Sequence, residues 1–301
     1  MTVPRFAPTR ATIILLIGVL VFSPVAPAGA AATLDTSGID AALGYAGKMM
    51  PGDVYRVGLP RNDLHVTVDG VQISTPLALG GYAVYRNEPN GTLLMGDIPL
   101  LQSEVGPVQN RLTSAGFQIT ALHNHLLRDQ PHIMYMHYMK VGDAVTMSGE
   151  LHAALQATTM RPSKRPAVAP KPFPYGAAID GALELKGLSH DGIYSVGLAR
   201  PENVSVDGML LPPAMGVGTS INFQAVDPDR IATTGDFVLI ADQVEPVERA
   251  LRAHGIEMTA LHQHLVGGDP MLYFMHFWGL DSPDRILPGL RAAIDIVRPK
   301  S

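Results

Sequence analysis

Val54–Leu59 reads VYRVGL, and its apolar residues alternate with others at the period of a half-buried strand. HVTVDGVQIS (His65–Ser74) alternates on both sides of Asp69-Gly70, a dipeptide suited to the positive φ angles of a two-residue hairpin turn. GYAVYR and TLLMGDI continue the strand pattern. The period then changes: Val105, Val108, Leu112 and Ala115 fall on one face of a helix, with Pro107 near its start and Gly116 placed to end it. FQITALHNHLL and HIMYMHYMK are read as two strands joined by the short RDQP. If that hairpin pivots near Gln130, positions 123 and 137 lie opposite each other. A last helix follows.

The second half of the chain repeats this plan. IYSVGLAR answers VYRVGLPR, VSVDG answers VTVDG, and RALRAHGIEMTALHQH answers RLTSAGFQITALHNH. Val244, Val247 and Leu251 with Pro246 and Gly255 rebuild the first helix. Ile286, Leu290 and Ile294 give the last helix its apolar stripe, with Ser282 as its N-cap and Pro283 as its first residue. The two copies span 39–158 and 179–298, joined by a proline-rich basic linker at 159–178. Each copy ends strand–helix–strand–strand–helix. That order predicts an α+β fold: an antiparallel sheet with helices packed on one face, a ferredoxin-like element extended by the extra hairpin.

Composition narrows the chemistry. The chain has 301 residues, 47% of them hydrophobic and 16% charged, enough apolar mass for two domains. A net charge of −5 gives no reason to expect nucleic acid or an anionic membrane as partner. Residues 1–30 read as a signal peptide: Arg5 and Arg10, the apolar run Ala11–Phe22, then Ala28-Gly29-Ala30 before a mature start near Ala31. The apolar run is shorter than the ~20 residues of a spanning helix, so the mature chain is expected to be exported, periplasmic or secreted, without an integral span. The chain has no cysteine, which removes disulfides, thiolate ligands and a lipid-anchored route. Nucleotide-binding loops and the serine-hydrolase elbow are also missing.

Histidine is the unusual residue. Positions 262 less 123, 264 less 125 and 276 less 137 all give 139, so six of the eleven histidines are three matched pairs. His65, His132, His152, His190 and His254 have no histidine at the matching place. Side chains two apart on a strand share a face, so His123, His125 and His137 form one expected trio, and His262, His264 and His276 the other. Three neutral imidazoles with an open position suit catalytic zinc, and imidazole also suits copper, nickel and iron. Asp97 and Asp236 keep the same offset and are candidates to complete a ligand set, orient a histidine or activate water. Glu104 is a further carboxylate candidate, although Gln243 occupies its place in the second copy. Met136 recurs as Met275 and reads as core filler rather than a copper ligand. Asn124 and Gln263, on the opposite strand face, read as structural hydrogen-bonding groups.

The stretches GD, EV-x-PV, AGFQITALHNHLL and YMHY, with GDFVLIADQVEPVERALRAHGIEMTALHQHL and YFMHFW, resemble the bacterial LppY/LpqO family, a domain of unknown function often found in tandem. The resemblance covers nearly all of the mature chain. It implies an exported protein and no particular activity. The family's namesakes are regarded as lipoproteins, from which this cysteine-free chain departs. Three readings remain open: a module binding a metal or small molecule through the histidines, a metal-dependent enzyme with hydrolysis as its candidate chemistry, and a structural envelope domain whose histidines only hydrogen-bond.

Overall fold

A computed structural model describes residues 33–162 and 171–298. The signal-peptide expectation falls outside the described residues, as does the middle of the proline-rich linker. The first repeat runs α1 (Thr36–Leu43), β1 (Gly47–Met50), β2 (Val54–Pro60), β3 (Val66–Val68), β4 (Val71–Ile73), α2 (Thr75–Ala78), β5 (Gly80–Glu88), β6 (Gly91–Leu101), α3 (Gln102–Ser114), β7 (Gln118–Asn124), β8 (Asp129–Gln130), β9 (Ile133–Gly142) and α4 (Ala144–Leu155). The second runs α5 (Gly176–Leu183), β10 (Leu188–His190), β11 (Ile193–Leu198), β12 (Val204–Val206), β13 (Met209–Leu211), a 3₁₀ turn (Pro213–Met215) in place of α2, β14 (Thr219–Asp227), β15 (Arg230–Leu239), α6 (Ala241–Arg252), β16 (Glu257–His262), β17 (Gly268–Asp269), β18 (Tyr273–Asp281) and α7 (Pro283–Val297). Among the described residues, no helix is long and apolar enough to cross a membrane.

Each repeat is an antiparallel six-stranded sheet, ordered β1-β2-β5-β6-β9-β7 in the first and β10-β11-β14-β15-β18-β16 in the second. The β6-α3-β7 crossover leaves a gap that β9 fills, antiparallel to both strands. This is the expected split β-α-β element, with β5 from the N-terminal side in the fourth strand position. The Asp69-Gly70 and Asp207-Gly208 turns have positive φ at both residues, as a type I′ hairpin requires. Each of these hairpins takes a third short strand, β8 or β17, into a separate small sheet. RDQP is therefore no tight turn. It belongs to a loop that leaves the main sheet, pairs with β3, and is held by the Asp129 carboxylate accepting from the Ile133 amide at 2.8 Å. Ser282 sits at the N-cap of α7 as expected, but its side chain makes no capping bond.

The helices cover one face of each sheet. In the first repeat Val108 and Leu112 of α3 pack with Leu94, Ile98, Met136 and Tyr138, all essentially inaccessible. The opposite faces are covered by the other repeat. Val54, Val84 and Leu93 share a core with Val204, Val206 and Phe274, while Val66, Val68 and Tyr135 share another with Ile193, Ala232 and Trp278. The two repeats thus bury their second sheet faces on each other. At roughly 1.5–3 kcal/mol for each fully buried aliphatic side chain, these shared cores are a large fraction of the stability.

Candidate histidine centre between the repeats

Strand pairing lays one row of side chains across each sheet on the face turned to the other repeat. In the first repeat the row is Gly58, Tyr82, Asp97, His137 and Ala121. In the second it is Gly197, Ser220, Asp236, His276 and Ala260. Gly96 and Gly235 precede the two aspartates because the chain is crowded there. A Cβ at Gly96 would strike the Tyr138 hydroxyl and the Tyr82 carbonyl, and one at Gly235 would strike the Ser220 carbonyl.

His123 pairs with Tyr135, not His137, and His262 with Phe274. The expected register is displaced by two residues because the connection is a loop with its own strand instead of a turn about Gln130. A slip of two preserves the face. His123 and His137 remain diagonal neighbours, with ring centroids 5.1 Å apart. His125 lies just past the end of β7, its ring 5.2 Å from that of His123 and stacked at 3.3 Å on Tyr135. His264 repeats this arrangement on Phe274 at 3.5 Å.

The trios are not two separate centres. Their rings interleave: His123 stacks on His262 at 3.6 Å, His125 on His276 at 3.9 Å, and His137 on His264 at 3.7 Å. His123 and His262 are each other's counterparts, so the pseudo-twofold relation between the repeats passes through that pair. All six matched histidines stand in one cluster. Four of them, His123, His262, His264 and His276, offer ligand atoms that all lie within 4.8 Å of one another. The second trio therefore converges as a set and takes its fourth member from the first repeat. That crossing was invisible in the sequence, since matched offsets reveal equivalence and say nothing of how two copies pack.

The electrostatics favour neutral rings. Burial, reinforced by the other histidines, pushes His123 down to about 4 and His262 down to about 2. Burial likewise holds His125, His137 and His264 well below the ordinary histidine value. The Nε2 atoms of all six rings, and Nδ1 of His262, are buried without a hydrogen-bond partner among the described residues. His123 Nδ1 lies 3.1 Å from the Asn124 carbonyl, which orients its ring. His276 Nδ1 abuts the Asp236 carboxylate, whereas Asp97 lies 3.8 Å from His137 Nε2. Burial and the charge of Asp236 hold the Asp97 carboxyl well above the usual carboxylate range. The aspartates thus stand beside the cluster, each across a strand pair from a histidine.

The other candidates lie elsewhere. Glu104 pairs with the buried Arg61 at 2.6 Å and accepts from the Leu101 amide at 2.9 Å, holding the start of α3. Gln243 does the same with Arg200 and the Ile240 amide, each at 3.1 Å. Asn124 donates to the Thr259 carbonyl at 3.0 Å and ties the edge strands of the two repeats together. Among the unmatched histidines, His65, His132, His152 and His190 bond Gln72, Asp129, the Leu43 carbonyl and Ser195.

A cavity of about 570 Å³ opens beside the cluster. Its wall includes His125, His137, His264 and His276, both aspartates, and Arg56 and Tyr82 of the first repeat. Sequence reasoning passed over Arg56 and Tyr82. Arg56 had one visible signal: it is replaced by Ser195 in the copy.

Fold and site together define a protein of two fused copies of one α+β domain that build a single histidine cluster between them. The chain belongs to the family described as Domain of Unknown Function (DUF1259), which matches residues 37–157 and again 177–296. No curated protein matches the chain. Two solved structures are similar over much of its length. EtuB from Clostridium kluyveri is 11% identical, covering 84% of this chain and 89% of its own, with a TM-score of 0.20. The trimeric bacterial microcompartment shell protein PduB is 12% identical, covering 83% and 89%, with a TM-score of 0.22. Superpositions this loose carry no argument about fold or function.

Proposed function

We propose that the protein is an exported binder of a divalent transition metal, held between the repeats by His123, His262, His264 and His276. One observation carries this reading: seven buried imidazole nitrogens of the cluster have no hydrogen-bond partner among the described residues, and four of its histidines bring ligand atoms within 4.8 Å of one another. Buried polar atoms are nearly always satisfied, and a cluster of exceptions calls for an explanation. A structural hydrogen-bond network would pair these nitrogens, so the geometry favours metal over the structural reading. Neutral imidazole is the ligand form, and zinc suits it best, with copper, nickel and iron as the other metals it accepts. Export rests on the charged and apolar start of the sequence and on the resemblance to the LppY/LpqO family.

The ligand set crosses the repeats, and its pseudo-symmetric image would reuse His123 and His262. One ion per chain follows, rather than one per repeat. Elemental analysis of the purified mature protein after zinc loading and desalting tests this. The expected result is about one zinc per chain, lost in both His123→Ala and His262→Ala. Retention of one ion by one of these variants, as two independent trios would give, or no transition metal at neutral pH, would overturn the reading.

A further inference from the structure

The pseudo-twofold relation that governs the histidines fails in the cavity beside them. Arg56 of β2 corresponds to Ser195 of β11, and Tyr82 of β5 to Ser220 of β14, by the strand pairing of each sheet. The first repeat thus brings a cation and an aromatic ring to the cavity, where of the two matching serines only Ser220 lines it and Ser195 bonds Asn222 instead. Glycines widen the second repeat's side, since Gly197 and Gly218 also line the cavity. Two copies of one fold have diverged here so that one wall is built up and the facing wall is cut back.

Arg56 is held in an unusual way for a half-buried arginine. Its guanidinium carbon lies 3.9 Å over the centre of the Tyr82 ring, and Nη1 reaches the Ala214 carbonyl at 3.4 Å, a long bond. Burial lowers it from its ordinary value, opposed by Tyr82, Asp97 and Tyr138, and a guanidinium remains charged throughout. Arg61 supplies the contrast within the same chain. It is fully buried and is met by two carboxylates, Asp63 at 2.9 Å and Glu104 at 2.6 Å. Arg56 has its planar fork stacked on an aromatic ring, a posture that fixes its direction while leaving donors for an oxyanion. The rest of the cavity wall includes apolar groups, among them Met50, Leu77, Leu198 and Pro213. At about 570 Å³ it has the size of a small-molecule site, with apolar groups beside a wall of histidines, aspartates and hydroxyls.

We infer that this cavity binds a small organic oxyanion, a carboxylate or phosphate ester, whose charged group lies on Arg56 and whose apolar body lies along Leu198 and Pro213. The histidines on the same wall place a bound metal at the edge of this site, a relation that rests on the metal reading; anion binding through Arg56 does not. Asp97 and Asp236 each lie against a histidine, and although the charge of Asp97 acts on Arg56, neither aspartate is within ion-pair distance of the guanidinium among the described residues.

Calorimetric titration of the full mature chain with hexanoate, hexyl phosphate and acetate tests the inference, with zinc content measured on the same samples. Hexanoate or hexyl phosphate is expected to bind more tightly than acetate, and the better of the two identifies the head group. Arg56→Ser installs the residue the second repeat carries, so the fold accommodates it. It is expected to weaken binding of the better ligand at least tenfold, while Arg56→Lys restores part of the loss without the bidentate fork. The inference is overturned if neither six-carbon anion binds the wild-type chain, or if Arg56→Ser, with an unchanged unfolding midpoint, binds as well as wild type. Zinc without Arg56-dependent anion binding would remove this inference and leave the metal reading standing. Arg56-dependent binding to a chain that takes up no zinc would do the reverse.

Discussion

Replacing Glu104 by alanine probes a buried charge whose counterpart the chain itself has already edited. Arg61 is inaccessible, and its Nη1 donates to Glu104 Oε2 at 2.6 Å and to the Pro99 carbonyl at 2.8 Å. Asp63 takes Nε at 3.0 Å and Nη2 at 2.9 Å. Glu104 also accepts from the amides of Leu101 at 2.9 Å and Thr159 at 3.2 Å. Removing one partner of a buried ion pair costs about 3–5 kcal/mol because the remaining charge is left desolvated. Asp63 survives the substitution, so the lower end applies, roughly 3 kcal/mol, with about 1 kcal/mol more for the lost acceptor at the start of α3. Glu104→Gln is expected to cost only about 1 kcal/mol, because Gln243 already makes both equivalent bonds, to Arg200 and to the Ile240 amide.

Urea unfolding reports the difference, read by far-ultraviolet circular dichroism and by Trp278. This is the chain's one tryptophan, 3% exposed, in the core between the repeats with Nε1 donating to Asp69 at 3.0 Å. Because both repeats contribute to the shared cores, the two signals are expected to move together as one transition. Equal costs for Glu104→Ala and Glu104→Gln would refute the structural role and return Glu104 to the candidates for chemistry. A cost below about 1 kcal/mol for the alanine variant would refute the buried-pair estimate.

The metal-free protein is expected to lose stability as pH falls. His123 titrates near 4 when folded against about 6.5 when unfolded, so the unfolded chain binds the extra proton between those values and His123 alone removes about 3 kcal/mol over that window; a flat urea midpoint from pH 7 to 4 would contradict it. Zinc retention is expected to fall over the acid range as well, since protons compete for the same nitrogens, and dialysis at stepped pH followed by elemental analysis checks this. Gly235→Ala is expected to cost about 1–3 kcal/mol by driving a methyl into the Ser220 carbonyl, whereas Gly58→Ala, whose added carbon meets nothing within 4 Å, should cost far less; equal unfolding midpoints would show that the clash relaxes away.

Local order was legible in the sequence because period, turn chemistry and caps are local. The α+β class, the Asp-Gly hairpins and the crossover helices follow from spacings within a few residues, and the duplicated plan from matched segments, which keep a constant offset of 139 from Gly96 onward. The helix expected over Val105–Ala115 starts at Gln102 and ends at Ser114, a boundary difference set by Glu104 reaching back to the Leu101 amide. The register of β7 on β9 was misjudged because RDQP looked like a turn, and its pairing partner β3 lies about sixty residues earlier. The six histidines were found by their constant offset. Their merger was not, because it depends on which sheet face the helices leave uncovered and how two such faces meet.

That meeting explains why duplication within one chain matters for this site. Two identical subunits related by a twofold axis would have to carry the same residue at both equivalent places. The histidines satisfy that constraint: each has its counterpart, and the axis passes between His123 and His262. Arg56 and Tyr82 violate it, since Ser195 and Ser220 stand at the equivalent places of the second repeat. A second arginine at position 195 would bring another cation to a wall where Asn222 now accepts from Ser195 at 2.6 Å and reaches the Leu77 carbonyl at 3.3 Å. Covalent fusion removes the constraint, so the symmetric part of the interface can keep a set of ligands that both halves supply while the wall beside it becomes one-sided. Ser195→Arg with Ser220→Tyr, which would restore the symmetry, is therefore expected to fill the cavity and abolish binding of the six-carbon anions while leaving zinc content unchanged. Undiminished anion binding in that double variant would show that the asymmetry has no part in the site.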